Sequence, residues 1–290
     1  MTNPFLLELP AVVSFSGGRT SGFMLHKILE AFGGEQPEGL EICFQNTGLE
    51  HPATYDFIEE IARRWGLRVT WLEYCLRLDE KKQTLAHHHR VVTHDTASRD
   101  GEPFTTLIWK KKYLPNPVAR ICTTNLKMRT MDRHLKTLPE FANGYTNAVG
   151  LRADEPRRAQ RIKNDNSRED VVCPLYLAGY TEEDVLAFWR QQREDHGFDL
   201  MLPLTGNMAG NCVGCYLKGP YKLELLMEEM PEHFEWWVRA EQIVRGKAGT
   251  GARFRNDRPS YEQMTAKVKS QGSLFPPGLD NDTIPCMCTD

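Results

Sequence analysis

The chain lacks the features that would assign it to a membrane or to the secretory pathway. Among its 290 residues no apolar run approaches the roughly 18 residues that a membrane span requires. Residues 1–10 lack the basic start, long apolar core and small-residue cleavage site of a secretion signal. We therefore expect a cytoplasmic protein that has no membrane partner.

An excess of positive charge is also missing. Lys and Arg number 36 against 39 Asp and Glu, which gives a formal net charge of −3. Such a chain is not a general nucleic-acid coat, so it must bind any anion through a local basic patch. The composition, 40% hydrophobic and 26% charged, is that of a globular protein. The length allows one large domain with a smaller appendage.

Short apolar runs alternate with amphipathic helical patterns in the first part of the chain. Strands are predicted at 11–15, 40–45, 67–73, 145–151 and 171–176, and helices at 21–29, 53–65 and 126–138. This alternation predicts an α/β fold, a Rossmann-like doubly wound parallel sheet with ligands at the carboxyl ends of its strands. We assign residues 1–205 to this domain and 206–290 to a helical and loop extension that carries cysteines.

Residues 77–118 show no clean period, and we predict an irregular insertion of loops and short helices there. His87–His89 could chelate a metal, but consecutive residues do not share one face of a strand or helix, which favours a solvated or anion-facing loop. Lys110–Lys112 is expected at the surface, with a nucleic-acid track shared with residues 152–168 as the alternative. After residue 245 the chain is polar and rich in Gly and Pro.

A glycine-containing turn joins the first strand to the first helix. Residues 16–21 read S-G-G-R-T-S. Paired glycines let the backbone approach an anion, and the free N–H groups at the start of a helix point toward it. The turn matches neither the Gly-Lys-Ser/Thr P-loop nor G-x-G-x-x-G. On these residues alone, a plain strand-to-helix turn remains the alternative.

The same turn resembles the PP-loop, Ser-Gly-Gly-x-x-Ser, of the ATP pyrophosphatases and the related phosphoadenosine phosphosulfate (PAPS) reductases. Three later segments resemble further motifs of these families in the same order: 46–50 (NTGLE), 150–158 (GLRADEPRR) and 174–185, which contains Pro-Leu and Thr-x-x-Asp-Val. The resemblance covers about residues 11–200. It implies an adenine nucleotide alpha hydrolase-like fold and an enzyme that binds an adenine nucleotide.

The resemblance also implies which residues form the site. The nucleotide contacts it implies are Ser14, Ser16, Gly17, Gly18, Arg19, Thr20, Ser21, Asn46, Thr47, Gly48, Gly150, Arg152 and Arg158. Catalytic roles are expected for Arg152, Arg157 and Lys127. Residues 152–168 hold six basic and three acidic side chains. Such a run is more often a solvated loop, but in this position it suits bidentate contacts with phosphate or sulfate. If ATP is the substrate, Mg²⁺ is expected, with Asp154 or Glu155 helping to hold it.

Eight cysteines are present, and in a reducing compartment clustered cysteines indicate metal or redox chemistry rather than disulfides. Cys212 and Cys215 form a C-x-x-C in a glycine-rich loop, a spacing that lets two thiolates converge on one metal or cluster. Cys122 lies in an Arg-x-Cys-Thr-x-x-Leu-Lys pattern. That pattern resembles a segment of PAPS reductase-like proteins, including DNA phosphorothioation enzymes, in which a cysteine helps to hold a [4Fe-4S] cluster.

The resemblance thus implies Cys122, Cys212 and Cys215 as cluster ligands, with Cys288 or Cys286 of the tail favoured as the fourth and Cys173 as the alternative. Four thiolates also suit tetrahedral zinc, and the sequence leaves that choice open.

The resemblance implies two reactions. In the first, ATP is cleaved to pyrophosphate while an acceptor is adenylated, and a cluster assists the transfer of sulfur to that acceptor, a tRNA, a DNA or a small molecule. In the second, a sulfonucleotide is reduced as in PAPS or APS reductases. PAPS reductases carry a C-terminal Glu-Cys-Gly-x-His segment and APS reductases carry a Cys-Cys pair. This chain lacks both, which favours the first reaction, ATP-dependent sulfur transfer. A non-catalytic nucleotide-binding protein with structural zinc is the third reading. The sulfur or electron donor is open, and so is a homodimer.

Overall fold

The computed structural model describes residues 3–163, 170–204, 208–245 and 251–271. Its centre is one six-stranded sheet in the order β4-β3-β2-β1-β5-β6. The strands are β1 Ala11–Ser14, β2 Leu40–Asn46, β3 Val69–Asp79, β4 Thr84–Val92, β5 Thr146–Val149 and β6 Val171–Val172. All neighbouring strands pair in parallel except β3 and β4, which form an antiparallel hairpin. The predicted α/β, Rossmann-like parallel sheet is confirmed.

Helices cover both faces of this sheet. They are α1 Arg19–Ala31, α2 Pro52–Trp65, α3 Glu102–Lys111, α4 Arg129–Leu135, α5 Pro156–Lys163, α6 Pro174–Ala178, α7 Glu182–His196, α8 Pro220–Glu229, α9 Glu235–Arg245 and α10 Tyr261–Gln271. Alternation along β1 sends Val13 into a core with α1, α2 and α7, and Val12 toward Met131 and Leu135 of α4 on the other face. None of the helices in the described ranges is both long and apolar enough to cross a bilayer.

Strand β1 lies between β2 and β5, so the strand order reverses direction beside it. In doubly wound sheets ligands bind at such a reversal, outside the carboxyl ends of the strands. Three of the segments singled out by the sequence leave the sheet there: 15–18 after β1, 47–50 after β2 and 150–155 after β5. The topology therefore gathers separate motifs at one edge.

The region after residue 208 builds a second core against α3 and β3. Leu223, Trp237 and Tyr261 of α8, α9 and α10 share an apolar cluster with Phe104 and Leu107 of α3. Pro231 separates α8 from α9 within a short 3₁₀ turn, Pro231–Phe234. The domain boundary expected between residues 205 and 206 stays a prediction. Partly buried Leu202 packs against both apolar cores and so joins them.

Residues 77–118 are more regular than predicted. Strand β3 continues to Asp79, β4 includes His87–His89, and α3 follows. The polar edge strand β4 carries no apolar alternation, and its nine paired residues owe their conformation to β3. The histidines therefore lie in a strand, not in a loop.

Three other predicted elements differ. The strand expected at 171–176 ends at Val172, because Pro174 begins α6, and proline is favoured at the first position of a helix. The helix expected at 126–138 starts as a π-helical turn, Thr123–Met128, and continues as α4. Helix α10 falls in a segment whose polar composition gave no signal for it.

Candidate active site

The turn between β1 and α1 is held by its own two serines. The hydroxyls of Ser16 and Ser21 lie 2.9 Å apart, and Ser21 Oγ donates to the carbonyl of Gly18 at 3.0 Å. The Gly18 amide points at Ser16 Oγ, 3.4 Å away. The amides of Arg19, Thr20 and Ser21 lie in the first helical turn, where backbone donors have no intrahelical acceptor. An anion placed over the turn would meet these donors.

Gly17 is required by both the conformation and the space of this turn. Its φ is +77°, and an added Cβ would lie 2.7 Å from Ile58 Cδ1 and 2.8 Å from Thr54 Cγ2 of α2. The turn therefore packs directly on α2. Above it is a small cleft, lined by Ser16, Gly17, Gly18, Thr54, Leu200, Gly210 and Asn211.

Arg19, expected at the nucleotide, is engaged elsewhere through its side chain. Its guanidinium pairs with Asp199, with Nε 2.7 Å from Oδ1, and also donates to the carbonyl of Leu200. Trp189 Nε1 donates to the Arg19 carbonyl at 2.8 Å. This residue ties α1 to α7 and to the chain around 199, and only its amide remains part of the turn.

The segment after β5 meets the start of α1. A Cβ on Gly150 would lie 3.3 Å from Ser21 Cα, and Arg152 Nη1 donates to Thr20 Oγ1 at 3.2 Å. The Arg152 side chain is 12% exposed and also contacts Asp154, with Nε 3.0 Å from Oδ1. Arg152 thus lies beside the turn with part of its charge compensated.

The remaining predicted residues of this segment and of β1 are also described. Arg158 pairs with Glu155, so the two acids expected to help hold Mg²⁺ both face arginines. Arg157 is exposed on α5. Ser14 Oγ, at the end of β1, donates to Asn147 Oδ1 of β5 at 2.9 Å.

The segment after β2 is buried and bonded within the protein. Asn46 Nδ2 donates to Glu73 Oε1 at 2.6 Å and to the Ser98 carbonyl at 2.9 Å, and its Oδ1 accepts from the Gly48 amide. Gly48 has φ of +78°, and a Cβ there would lie 2.7 Å from the amide of Gly101. These contacts fix the path of residues 46–48.

Glu50 is the residue in this segment that the sequence did not single out as a site residue. It is 5% exposed, and its carboxylate accepts from the hydroxyl of Thr47 at 2.8 Å and from that of Tyr55 at 3.2 Å. It also accepts from the amides of Thr47 and Leu49. An isolated β-bridge joins Glu50 to Cys212. The signal in the sequence was a lone acid directly after the Asn-Thr-Gly-Leu run.

The C-x-x-C loop is therefore attached to the nucleotide side of the sheet. Cys212 Sγ lies 3.2 Å from Thr47 Oγ1, and the Val213 amide donates to the Leu49 carbonyl at 2.9 Å. Cys212, Cys215 and Cys122 are partly buried against the same apolar cluster, although they come from residues 90 apart in the chain. Cys122, just before the π-helical turn, lies 3.4 Å from Tyr216 Oη.

Electrostatics at Cys212 oppose a free thiolate. Burial raises the pKa of this thiol well above its usual value, and the Glu50 carboxylate raises it further. The Lys127 ammonium and the Thr47 hydroxyl act in the opposite direction, which puts the predicted catalytic Lys127 within electrostatic range of the sulfur. A metal that binds here must displace a proton.

The fourth ligand is only partly addressed by the described residues. Cys173 lies in a separate cluster with Leu151, Ala159 and Ile162, and burial raises its pKa to about 11. It does not join the other three cysteines. Cys286 and Cys288 lie outside the described residues.

The sulfur spacing bears on the choice of metal. Tetrahedral zinc with Zn–S bonds of about 2.3 Å would hold its sulfurs within about 4 Å of one another. In the described ranges, the only group of three such side chains within 4.8 Å is Glu41, Cys43 and His134, on the α4 face of the sheet. The sulfurs of Cys122, Cys212 and Cys215 therefore do not all lie within 4.8 Å of one another.

Comparison with known proteins agrees with the motifs. Residues 10–196 match the model of the phosphoadenosine phosphosulfate reductase domain. The chain belongs to the PAPS reductase domain family. The chain is 29% identical to ORF290, an uncharacterized nin region protein of Escherichia phage lambda. The alignment spans 221 residues, which is 75% of this chain and 69% of that protein.

The chain is also similar to a solved structure, the U34-tRNA thiolase NcsA from Methanococcus maripaludis with its [4Fe-4S] cluster. The match covers 98% of this chain and 82% of that chain, at 14% identity and a TM-score of 0.33. A likeness of this degree carries no information on the reaction of this chain. The family expected from the motifs is confirmed by the domain match alone.

Proposed function

We propose that this chain is a PP-loop enzyme that binds an adenine nucleotide and carries out ATP-dependent, iron–sulfur-assisted transfer of sulfur to a nucleic acid or a small acceptor. The observation that carries the proposal is the contact between its two candidate sites. Gly210 and Asn211 line the cleft over the PP-loop, and the next residue is Cys212. A phosphate bound over the PP-loop would lie against the loop that carries two of the cysteines.

The phosphates of the nucleotide would be held at the start of α1. The amides of residues 18–21 and the hydroxyls of Ser16 and Ser21 supply donors, and the helix N-terminus favours negative charge. Arg152, beside Thr20, supplies a guanidinium for the same phosphates, and Arg157 and Arg158 extend the positive charge along α5. Mg²⁺ would accompany ATP, because the departing pyrophosphate requires charge neutralisation.

The cysteines would hold the metal centre. Cys122, Cys212 and Cys215 are the proposed ligands, with Cys288 or Cys286 as the fourth. A bound [4Fe-4S] cluster would supply a site that carries sulfur or electrons. The Lys127 ammonium lowers the pKa of the Cys212 thiol, which suits a role in neutralising charge during transfer. In the adenylation step, an acceptor oxygen attacks the α-phosphorus and pyrophosphate leaves.

Sulfonucleotide reduction is the second candidate, because the family model that matches the chain is that of PAPS reductases. The two differ in substrate and product. Sulfur transfer requires ATP and releases pyrophosphate, whereas reduction requires PAPS or APS and releases sulfite. Turnover assays with each nucleotide, in the presence and absence of RNA and DNA, separate them.

The first experiment is anaerobic purification with analysis of iron, sulfide and zinc. We expect absorbance near about 400 nm and about four iron atoms per chain. Cys212→Ser should lose iron, whereas Cys75→Ser, on the β3–β4 hairpin, should retain it. One zinc and no iron would exclude the cluster, and with no turnover it would favour the non-catalytic nucleotide-binding protein.

The nucleotide site is tested by Ser16→Ala combined with Gly18→Ala. Gly18 has φ of −93° and ψ of 165°, which alanine adopts without strain, so the fold should persist. We expect calorimetric ATP binding to disappear while iron content and the unfolding temperature stay near those of the parent. Unchanged binding would remove the loop from the site.

The fourth ligand is tested by deleting residues 284–290 beside a Cys173→Ser variant. We expect the deletion to lower the iron content and Cys173→Ser to leave it unchanged. The reverse result would assign the ligand to Cys173.

A further inference from the structure

A second basic site lies between α3, α4 and β4, away from the PP-loop. It is a pocket of about 390 Å³. Five cations and one acid line it: Lys110, Lys111, Arg129, Arg133, Lys136 and Asp132. The whole chain has a net charge of −3, whereas the side chains that line this pocket are mostly positive. The pocket therefore selects for a ligand with several negative charges.

Most of this charge is not neutralised by the protein. Asp132 pairs with Lys136 at 2.8 Å, and Lys110 Nζ donates to the carbonyl of Leu85, which leaves its charge in place. Arg129, Arg133 and Lys111 form no ion pair with any residue in the described part of the chain. Three cations are thus open to an external anion.

The cations of α4 lie in a row. Arg129, Arg133 and Lys136 occupy positions i, i+4 and i+7, which share one helix face. At 1.5 Å per residue the row is about 10 Å long. That length exceeds a single phosphate group and spans successive phosphates of a nucleic-acid strand, which are about 3.4 Å apart along a duplex axis.

A neighbouring histidine experiences the same positive field. His87 of β4 lines the pocket, and its pKa is lowered to about 4, first by burial and then by Arg133 and Arg129. At neutral pH this imidazole is uncharged, and its one N–H donates to Thr130 Oγ1 at 3.2 Å, because the Thr130 hydroxyl itself donates to the Asn125 carbonyl. His87 therefore adds an uncharged ring to a wall of cations.

An exposed aromatic ring lies on α3, the helix that supplies Lys110 and Lys111. Trp109 is 54% exposed, whereas most large apolar side chains of the described residues are buried. Lys112 Nζ lies 4.4 Å from the centre of the indole ring. Exposed aromatic rings interleaved with cations are the arrangement that stacks bases of single-stranded nucleic acid.

The pocket also borders the candidate active site. Asn125 lines it and belongs to the π-helical turn Thr123–Met128, which follows Cys122 and contains Lys127. We propose that this pocket binds the phosphates of a single-stranded segment of nucleic acid, that Trp109 stacks on one of its bases, and that this strand is the sulfur acceptor. Its role as acceptor rests on the function proposed above. Lys110 and Lys111 thus line the same pocket as the cations of α4, and none of residues 152–158 lines it.

The test uses the full chain and a fluorescently labelled single-stranded RNA and DNA of mixed sequence, with anisotropy measured over a range of salt concentrations. Arg129→Gln combined with Arg133→Gln should lower the magnitude of the slope of log K against log salt by about 1.4, since each phosphate contact on a single strand contributes about 0.7. The control, Arg68→Gln with Arg190→Gln, removes the same charge outside the pocket and should leave the slope unchanged.

Two further arms test the ligand. Trp109→Ala should weaken binding roughly tenfold, and Trp109→Phe should restore most of it. Inorganic tripolyphosphate should compete only at concentrations far above those of the strand. Equal competition by tripolyphosphate, or a slope unchanged in the arginine variant, would overturn the proposal.

Calorimetric ATP binding to the unsubstituted chain, measured beside its strand binding, separates the two proposals. ATP binding without strand binding would overturn the proposed nucleic-acid site in this pocket but not the proposed role of the PP-loop. Strand binding with no nucleotide binding would uphold the pocket as a nucleic-acid site and remove the proposed acceptor role.

Discussion

The two loops that meet at the candidate site are built differently. The PP-loop is stabilised by neighbours in sequence, since the Ser16–Ser21 contact and the first turn of α1 lie within six residues. The cysteine loop is stabilised from far along the chain. Arg258 donates to the carbonyls of Tyr216 and Lys218, and Tyr261 donates to that of Gly214. The first loop depends on local conformation, and the second depends on the packing of α8, α9 and α10.

The largest effect is expected where the distant packing is tightest. A Cβ on Gly214 would overlap the indole of Trp237, 2.5 Å from Cδ1, and this ring is 1% exposed and cannot move aside. Gly214→Ala should destabilise the fold by about 3 kcal/mol and lower iron content. Chemical denaturation and iron analysis measure both.

Trp237→Val provides the matched test, because it removes Nε1, Cδ1 and Cε2, the atoms that the new methyl group meets. In a double-mutant cycle the two substitutions should be less costly together than their sum. Additive losses would show that the clash is not the cause.

Gly17→Ala is the local counterpart and should cost less, about 2 kcal/mol, because the Ile58 side chain it meets has a flexible end. ATP binding should be lost while iron content is kept. Gly33→Ala is the control, since Gly33 has a similar φ of +82° and nothing within 4 Å of the added methyl. Equal losses in the two variants would mean that φ alone, without contact to α2, sets the cost.

This contrast explains what the sequence could predict. The PP-loop was predictable because glycines, serines and a strand-to-helix change all lie within one short segment. The C-x-x-C was visible as a motif, but its attachment to Glu50 and Thr47 depends on contacts across more than 160 residues. Strand β4 was missed because its polar histidines take their conformation from the pairing with β3.

The engagement of Arg19 by Asp199 could not have been read from the sequence either, because residues 180 apart must first be folded together. The same limit applies to the basic pocket, whose cations come from two helices. In each case a side chain of the right type was visible, and its partner was supplied by the fold.

Glu50 joins the cysteine loop to residues 47–50 after β2, at the edge of the sheet where the PP-loop also lies, so its substitution should affect both candidate sites. Glu50→Gln keeps the shape and removes the charge that accepts from two hydroxyls and two amides. We expect a loss of about 2 kcal/mol together with weaker ATP binding and lower iron content. Glu59→Gln, exposed on α2, should change none of the three. A change in iron content with unchanged ATP binding, or the reverse, would show that the two candidate sites are independent.

The smallest effect is expected for the direct contact between the cysteine loop and the segment after β2. Thr47→Val and Cys212→Ala each remove one side of the 3.2 Å approach of oxygen and sulfur, and a double-mutant cycle in denaturation should give a coupling of about 0.5 to 1 kcal/mol. Thr54→Val is the control, because Thr54 Oγ1 is buried without a partner among the described residues, so its loss should be neutral or stabilising. Zero coupling would leave Glu50 as the link between the cysteine loop and the segment after β2. A measurable coupling would mean that the nucleotide side of the sheet positions the cysteine directly, before any metal binds.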